Sequence, residues 1–352
     1  MRILRNLILL LLAAAAIIYF VDHDSKLKET AIEQVSEVFQ QNEKQEDPEP
    51  ANYADPKFKG SIYKWVGRPA AELSGQLGEP VRKDASAYGY TWWVYTNGKN
   101  KYIQFGVEDG KILTVYAIGK NIETEPVKTG DSYKEINSEL AFKDKVTYQK
   151  GLSSYTFLLK DKDMEMWPLA KIGDELFAQF YFDTFTNKLS AVRVMNADVL
   201  LRLRPYEIEY RGSLPDAPDL PEAGWKEAEA GMEKQILDIT NVIRNEHGKP
   251  GLKPDQRVAE VAFGHSKDMS DRNYFSHYGL DGSGLKERLA EKNVVYVAAG
   301  ENIAAQYPDA AAAMEGWLNS KGHREALLQQ EYTHLGVGVY HFYYTQNFLR
   351  KP

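Results

Sequence analysis

The hydrophobic rhythm of this chain changes at Trp225, and that change limits every fold open to it. Before it, apolar and aromatic residues alternate in short runs bounded by turn residues. Such runs are Tyr90 to Tyr95, Tyr102 to Val107, Ile112 to Ile118, Ser154 to Leu159, Leu176 to Phe182 and Leu189 to Met195. Alternation of this kind, broken by Asn97-Gly98 and Asp109-Gly110, is the pattern of strands joined by hairpins. After it, Ile236, Ile239, Val242 and Ile243 recur at three- and four-residue spacing, as on one face of a helix. Val258, Val261, Ala262, His265 and Met269 repeat that pattern, and Ala310 to Leu318 is alanine-rich and helical. Between the two regimes lie Pro215, Pro218 and Pro221, so residues 212–225 read as a semi-rigid linker. At 352 residues the chain exceeds one comfortable core. The expectation is an α+β protein of two domains, 61–211 and 226–352, the second able to fold alone.

Residues 61–211 contain a weak internal duplication. One copy opens Gly67-Arg68-Pro69 and continues with Ala71, Leu73 and Leu77. The other opens Gly130-Asp131-Ser132 and continues with Tyr133, Ile136 and Leu140. Each reads as a short helix followed by strands, giving two small α+β units. The aromatic cluster Tyr88, Tyr90, Trp92, Trp93 and Tyr95 suits a half-buried strand. One side of that strand fills a core, and the other is left for a ligand or for the neighbouring domain.

The N-terminus carries Arg2 and Arg5, then fifteen apolar residues from Leu7 to Val21, then Asp22 and Asp24. Positive charge before the run and acid after it place the N-terminus inside and the body outside. Residues 1–21 are therefore expected to be a transmembrane anchor or a cleaved signal; either exports the rest of the chain. Residues 22–60 are polar, with Asp47-Pro48-Glu49-Pro50, and read as a stalk. Within them Lys26 to Gln41 has helical spacing.

No cysteine occurs, which removes disulfides, thiolate nucleophiles and cysteine-bound zinc. That usage fits a bacterial extracellular protein that relies on core size. The net charge of −7, with no basic stripe, gives no basis for nucleic-acid binding.

The C-terminal part holds short motifs in a fixed order: Asn241-x-x-Arg244, Gly251-Leu252, His265-Ser266-x-Asp268-Met269, Phe275-Ser276-His277 and Gly300-Glu301-Asn302-Ile303-Ala304. Trp317-Leu318-Asn319-Ser320-x-Gly322-His323-Arg324, Leu335-Gly336-Val337-Gly338-Val339 and Tyr344-Thr345-Gln346 come next. From Ile236 to Phe348 the sequence resembles the CAP superfamily, also called the SCP-like extracellular family. The resemblance implies an α-β-α sandwich with one long cleft. Residues 61–211 resemble the domain that often precedes CAP domains in Gram-positive bacteria.

In that family two His and two Glu line the cleft. By resemblance His277, Glu301 and His323 are the corresponding residues here. Animal members place the second Glu three residues after the helix Trp, where this chain has Ser320, so Glu315 is carried as the candidate second acid. His277 and His323 are the candidate metal ligands, for zinc or another divalent cation. Glu301, read in a Gly-Glu-Asn turn, is expected either to bond backbone amides or to orient a neighbouring His. His265, with Val261 and Met269, is expected to be a core histidine; His334 and His341 carry no motif. There is no His-Glu-x-x-His helix and no Gly-x-Ser-x-Gly elbow. Three functions stay open. The first is an extracellular, membrane-tethered cleft for a lipid, peptide or cell-envelope ligand. The second is a metal-dependent hydrolase of cell-envelope peptide or glycan, and the third is a protein-interaction module with a vestigial cleft.

Overall fold

The computed structural model describes residues 53–352, apart from 57, 59, 60, 121 and 123. The expected anchor or signal and nearly all of the stalk, including the Lys26–Gln41 spacing, lie outside the described residues.

Seven strands form the first sheet: β1 (Arg82–Ala85), β2 (Thr91–Thr96), β3 (Lys101–Glu108), β4 (Lys111–Gly119), β7 (Leu169–Lys171), β8 (Leu176–Asp183) and β9 (Lys188–Asn196). Their order is β1-β2-β3-β4-β9-β8-β7, antiparallel throughout. The last strands of the two copies, β4 and β9, therefore pair at the centre. The duplication extends to detail. Gly67 and Gly130 share φ near +90° and donate to the carbonyls of Ile112 and Leu189 at 2.7 and 2.8 Å. Pro69 and Ser132 bridge the equivalent lysines Lys111 and Lys188. One sequence expectation fails here. The alternation of Ser154 to Leu159 suggests the first sheet strand of copy two. It is instead β6 (Ser153–Leu158), which lies between β5 (Lys145–Lys150) and β10 (Glu207–Arg211) in a separate three-stranded sheet.

Helices α1 (Ala71–Leu77) and α2 (Tyr133–Leu140) cover one face of the large sheet, burying Leu73 and Ile136 against Phe105, Val115 and Phe180. Ser132 and Glu135 make a reciprocal capping box that starts α2. The short helices α3 (Asp161–Met166) and α4 (Ala197–Leu203) flank β7 and β9. The other face, with Tyr90, Trp92, Tyr102, Tyr116 and Tyr181, is covered by the C-terminal domain. The Tyr88/Tyr90/Trp92 side of the aromatic strand thus meets the neighbouring domain.

The C-terminal domain begins with α5 (Glu222–Glu246), behind Pro221. The helix starts inside the segment expected to be linker, because a proline with extended ψ can precede a first helical turn directly. Then come β11 (Lys253–Pro254), α6 (Gln256–Asp271), α7 (Leu285–Glu291), β12 (Ala298–Ala305), α8 (Ala310–Leu318), α9 (Lys321–Leu327), β13 (His334–Tyr340) and β14 (Tyr343–Arg350). The sheet runs β11-β13-β14-β12. Gly336 and Gly338 let α6 lie directly on β13; a Cβ at either would strike the α6 backbone. Thr345 and Gln346 alternate across β14. Thr345 bonds Ser266 of α6 at 2.8 Å, and Gln346 bonds Thr240 of α5 at 2.8 Å, so each helix layer is tied to the sheet. Asn241 and Arg244 are structural: Asn241 brackets the backbone of Leu252, and Arg244 donates to the carbonyls of Pro250, Leu327 and Gln329.

One hydrophobic cluster runs through both domains without a break, joining Trp92, Tyr116 and Met195 to Ile236, Ala311 and Trp317. Polar links cross the same boundary. Arg82 pairs with Asp238 at 2.6 Å, and Arg193 pairs with Asp309 at 2.6 Å with both side chains buried.

Candidate functional site

The Gly-Glu-Asn segment is not a turn. It lies in β12, paired with β14 along its whole length. Alternation then sends Glu301 and Asn302 to opposite sides. On one side, Glu301 Oε1 accepts a hydrogen bond from His277 Nδ1 at 2.9 Å, and Oε2 accepts one from Arg288 at 2.7 Å. On the other, Asn302 Nδ2 donates to the carbonyl of His323 at 3.1 Å. Two adjacent residues of one strand thereby hold the two histidine-bearing segments. Gly300 is required because the Tyr332 hydroxyl sits where a Cβ would be.

The His277 loop is fastened at several points. His265, 2% exposed, bonds the Ser276 carbonyl through Nε2 at 3.0 Å. It is the core histidine expected, and it also shapes the site. Arg288 of α7 donates to the carbonyls of His277 and Ser283 as well as to Glu301. Burial raises the Glu301 pKa, but the His277 hydrogen bond and the Arg288 and His265 charges outweigh it, so the group lies below its ordinary value. An ionised carboxylate at Nδ1 requires the proton on that nitrogen. Nε2 of neutral His277 is then an acceptor, on a side chain that is 48% exposed.

His323 is held at lower pKa by burial, and further by the nearby His277. Its neighbours are gripped by the N-terminal domain. Asp183, at the end of β8, makes a two-pronged bond to Arg324, both contacts 2.9 Å. Asn319 accepts from the Thr184 amide and hydroxyl at 2.8 Å and donates to the Phe182 carbonyl at 2.9 Å. Burial pushes the Asp183 carboxyl up, but the bonds from His247 and Arg324 win and hold it at about 2. Sequence reasoning missed Arg288 and Asp183. Neither stands in a motif, and only tertiary packing brings them in.

Glu315 does not stand with His277 and Glu301. Its helical phase points it across the domain boundary, where Oε1 accepts from Tyr116 at 3.0 Å and from Ser190 at 3.3 Å, and Oε2 has no partner among the described residues. Nor does a carboxylate occupy the second-acid position, since Ser320 precedes α9. Complete burial raises the Glu315 pKa from 4.5 to about 8. The folded protein therefore keeps this proton while the unfolded chain ionises, and stability falls as pH rises from the lower value through the higher. Glu315→Gln is expected to change stability little at pH 5. At pH 8.5 it should add roughly 2–4 kcal/mol, since each tenfold gain in proton affinity is worth about 1.4 kcal/mol before the site relaxes. Urea unfolding at both pH values checks this; equal effects would reject it.

Two imidazoles are therefore in place, but Glu301 is committed to His277 and Arg288. Among the described residues no group of three or more His, Cys, Asp or Glu side chains is placed to hold a metal ion. The donor set falls short of the three protein ligands of catalytic zinc. His277 and His323 alone would hold a cation weakly. Ser276 Oγ accepts from the Tyr278 amide at 3.1 Å in a local turn, which makes it a poor nucleophile. Beside His277 the loop exposes Phe275, Tyr278 and Leu280, by 56%, 64% and 64%.

Known proteins resemble this chain in sequence and fold. Residues 66–206 match the family described as CAP-associated N-terminal, and residues 237–349 the cysteine-rich secretory protein family, CAP. The chain is 46% identical over 290 residues to YlbC, an uncharacterized membrane protein of Bacillus subtilis, covering 82% of this chain and 84% of that one. An extracellular SCP-domain protein of Bacillus anthracis superposes with a TM-score of 0.79 at 40% identity, over 87% of this chain and all of that one. A cysteine-rich secretory protein of Staphylococcus aureus does so with a TM-score of 0.74 at 25% identity, over 86% and 97%. No helix among the described residues is long and apolar enough to cross a membrane. With both family models matched in order and 82% of the chain shared with a relative, the chain belongs to the CAP superfamily, as a member with a CAP-associated domain ahead of its CAP domain.

Proposed function

We propose that this is an exported protein whose CAP cleft binds an amphipathic ligand and does not catalyse its turnover. Export is supported by the arginine-flanked apolar run Leu7 to Val21 and by relatives named as membrane and extracellular proteins. The observation that carries the binding reading is the commitment of both Glu301 oxygens. That leaves His277 Nε2 as an oriented acceptor for a donor group of the ligand. Phe275, Tyr278 and Leu280 supply an apolar surface next to it. An exposed apolar patch beside one fixed polar group suits a lipid or an apolar peptide.

Cell-envelope extract, separated into lipid and peptide pools, tests the reading by thermal shift. One pool is expected to raise the Tm of the wild type and to lose at least tenfold in potency against His277→Ala and His323→Ala. Equal shifts in all three proteins would reject the cleft as the binding site. Release of product from the active pool, abolished in both variants, would reject a purely binding role.

A further inference from the structure

The molecule also carries a recess that none of the family motifs touches. It opens where β12 and the β13–β14 turn of the CAP domain face α3, α4 and β8 of the N-terminal domain. Its volume is about 580 Å³, within the usual range for small-molecule sites, which favour domain boundaries. Gln306 at its rim lies five residues along the chain from Glu301, about 17 Å at strand spacing, so the recess is separate from the His277 cleft.

Three of its rings, Trp167, Tyr307 and Tyr343, stack on no other ring among the described residues. Trp167 is fixed by its Nε1 bond to Asp163 at 2.8 Å. Tyr307 leans its hydroxyl over Gly316, where any Cβ would collide with it. The recess therefore presents ring surfaces set in place before anything binds. The polar groups have a pattern as well. Gln306 and Arg204 Nη1 make no side-chain hydrogen bond among the described residues, while Arg204 is steadied through Nη2 by the Pro215 carbonyl at 2.7 Å and the Asp216 carboxylate at 3.5 Å. On the floor, the Gln179 amide gives one N–H to Tyr206 at 2.7 Å and keeps a second to offer. The lining holds no carboxylate.

The backbone here is also unusual. Arg204, Gln306, His341 and Phe342 all have positive φ, between 44° and 63°. The last two form a two-residue hairpin turn of the kind that ordinarily uses Asn-Gly. Such strain concentrates at ligand sites, held by surrounding packing. Here Phe342 is wedged edge-on against Trp225 with centroids 5.1 Å apart.

Each feature narrows the ligand. The guanidinium already takes the Asp216 carboxylate on Nη2, and no acid lines the recess among the described residues, so the site does not suit a cation. A floor with amide and phenol groups does not suit an alkyl chain. Fixed ring faces beside planar amide donors match the apolar face and hydroxyl edge of a sugar. The Nη1 side of the guanidinium, which has no partner among the described residues, matches a carboxylate. We propose that this interdomain recess binds an anionic saccharide, its ring stacked on Trp167 or Tyr307 and its carboxylate at Arg204.

The test uses the full chain in detergent and a soluble tetrasaccharide of alternating N-acetylglucosamine and N-acetylmuramic acid, followed by calorimetry. Chitotetraose, its uncharged counterpart, is the control. Saturable binding is expected for the anionic glycan, and at least tenfold weaker binding for chitotetraose. Trp167→Ala and Arg204→Asn should each weaken the anionic glycan at least tenfold; asparagine tolerates the left-handed backbone at 204. His323→Ala should leave it unchanged, which separates this site from the cleft. Should Trp167→Ala fail to fold, Arg204→Asn, at a side chain 40% exposed, carries the test. Absence of saturable binding, equal binding of both glycans, or loss with His323→Ala but not Arg204→Asn would each overturn the proposal.

Discussion

A fragment of residues 226–352 is expected to show no cooperative unfolding transition, although the proline-spaced segment before it suggests an independent unit. The reason lies in α8. All nine of its residues are buried, Glu315 included, because the helix has the CAP core on one side and the seven-stranded sheet on the other. Removing the N-terminal domain would expose that alanine face. It would also uncover the partners of Tyr116, Tyr181 and Met195, and leave Asp309 and Arg324 without Arg193 and Asp183. Buried apolar area is worth about 25 cal/mol per Å², and net stability is only about 5–15 kcal/mol for a whole domain. Losing one face of a shared core therefore removes most of the margin. Thermal and urea unfolding, followed by circular dichroism, compare the fragment with residues 53–352. A sharp two-state transition in the fragment, with unchanged helix content, would show that the boundary is an ordinary contact between independent domains.

Arg193→Met is expected to destabilise the whole described body by about 3–5 kcal/mol, the usual cost of removing one partner from a buried pair. Arg193 is 1% exposed and gives both of its charge contacts to Asp309, at 2.8 and 2.6 Å. Asp309 has a second duty: its Oδ1 caps α8 by accepting from the Ala312 amide at 3.0 Å. The single change strands a carboxylate in the interface, whereas Arg193→Met with Asp309→Asn keeps the cap and removes the stranded charge. The double variant is therefore expected to regain more than half of the loss. Equilibrium unfolding in urea at pH 7 reads both. A single-variant cost under about 1 kcal/mol, typical of an exposed pair, would mean that water reaches the site.

How much of the fold and the site is legible in the sequence depends on whether the cause is local. The strands β2, β3, β4, β8 and β9 fall within about two residues of the alternating runs, since alternation and β-branched or aromatic side chains act residue by residue. The Asp109-Gly110 turn appears where its residues predict it, with φ of 48° and 72°. β12 escapes such reasoning because Ala-Ala-Gly-Glu-Asn has little intrinsic strand preference; β14 imposes the conformation by pairing along all eight residues. In a turn, Glu301 would have no fixed direction. As a strand residue it faces His277, as expected of a group that orients a histidine. Glu315 goes the other way. Its distance from Trp317 in sequence says nothing about which face of α8 the N-terminal domain covers. Arg288 and Asp183 act only through folds of the chain that no motif spans.

The duplicated sheet has one more consequence. Glu108 and Asp183 stand at equivalent ends of β3 and β8, opposite Lys111 and Lys188. Each takes an arginine with two prongs, but Glu108 holds Arg202 of its own domain and Asp183 holds Arg324 beside His323. The repeated part thus carries a division of labour: one copy makes a tie within its own domain, and its twin is a handle on the segment that bears His323. Damage confined to the first hairpin should loosen the platform alone, whereas damage to the second should be felt at the histidines while the platform stands.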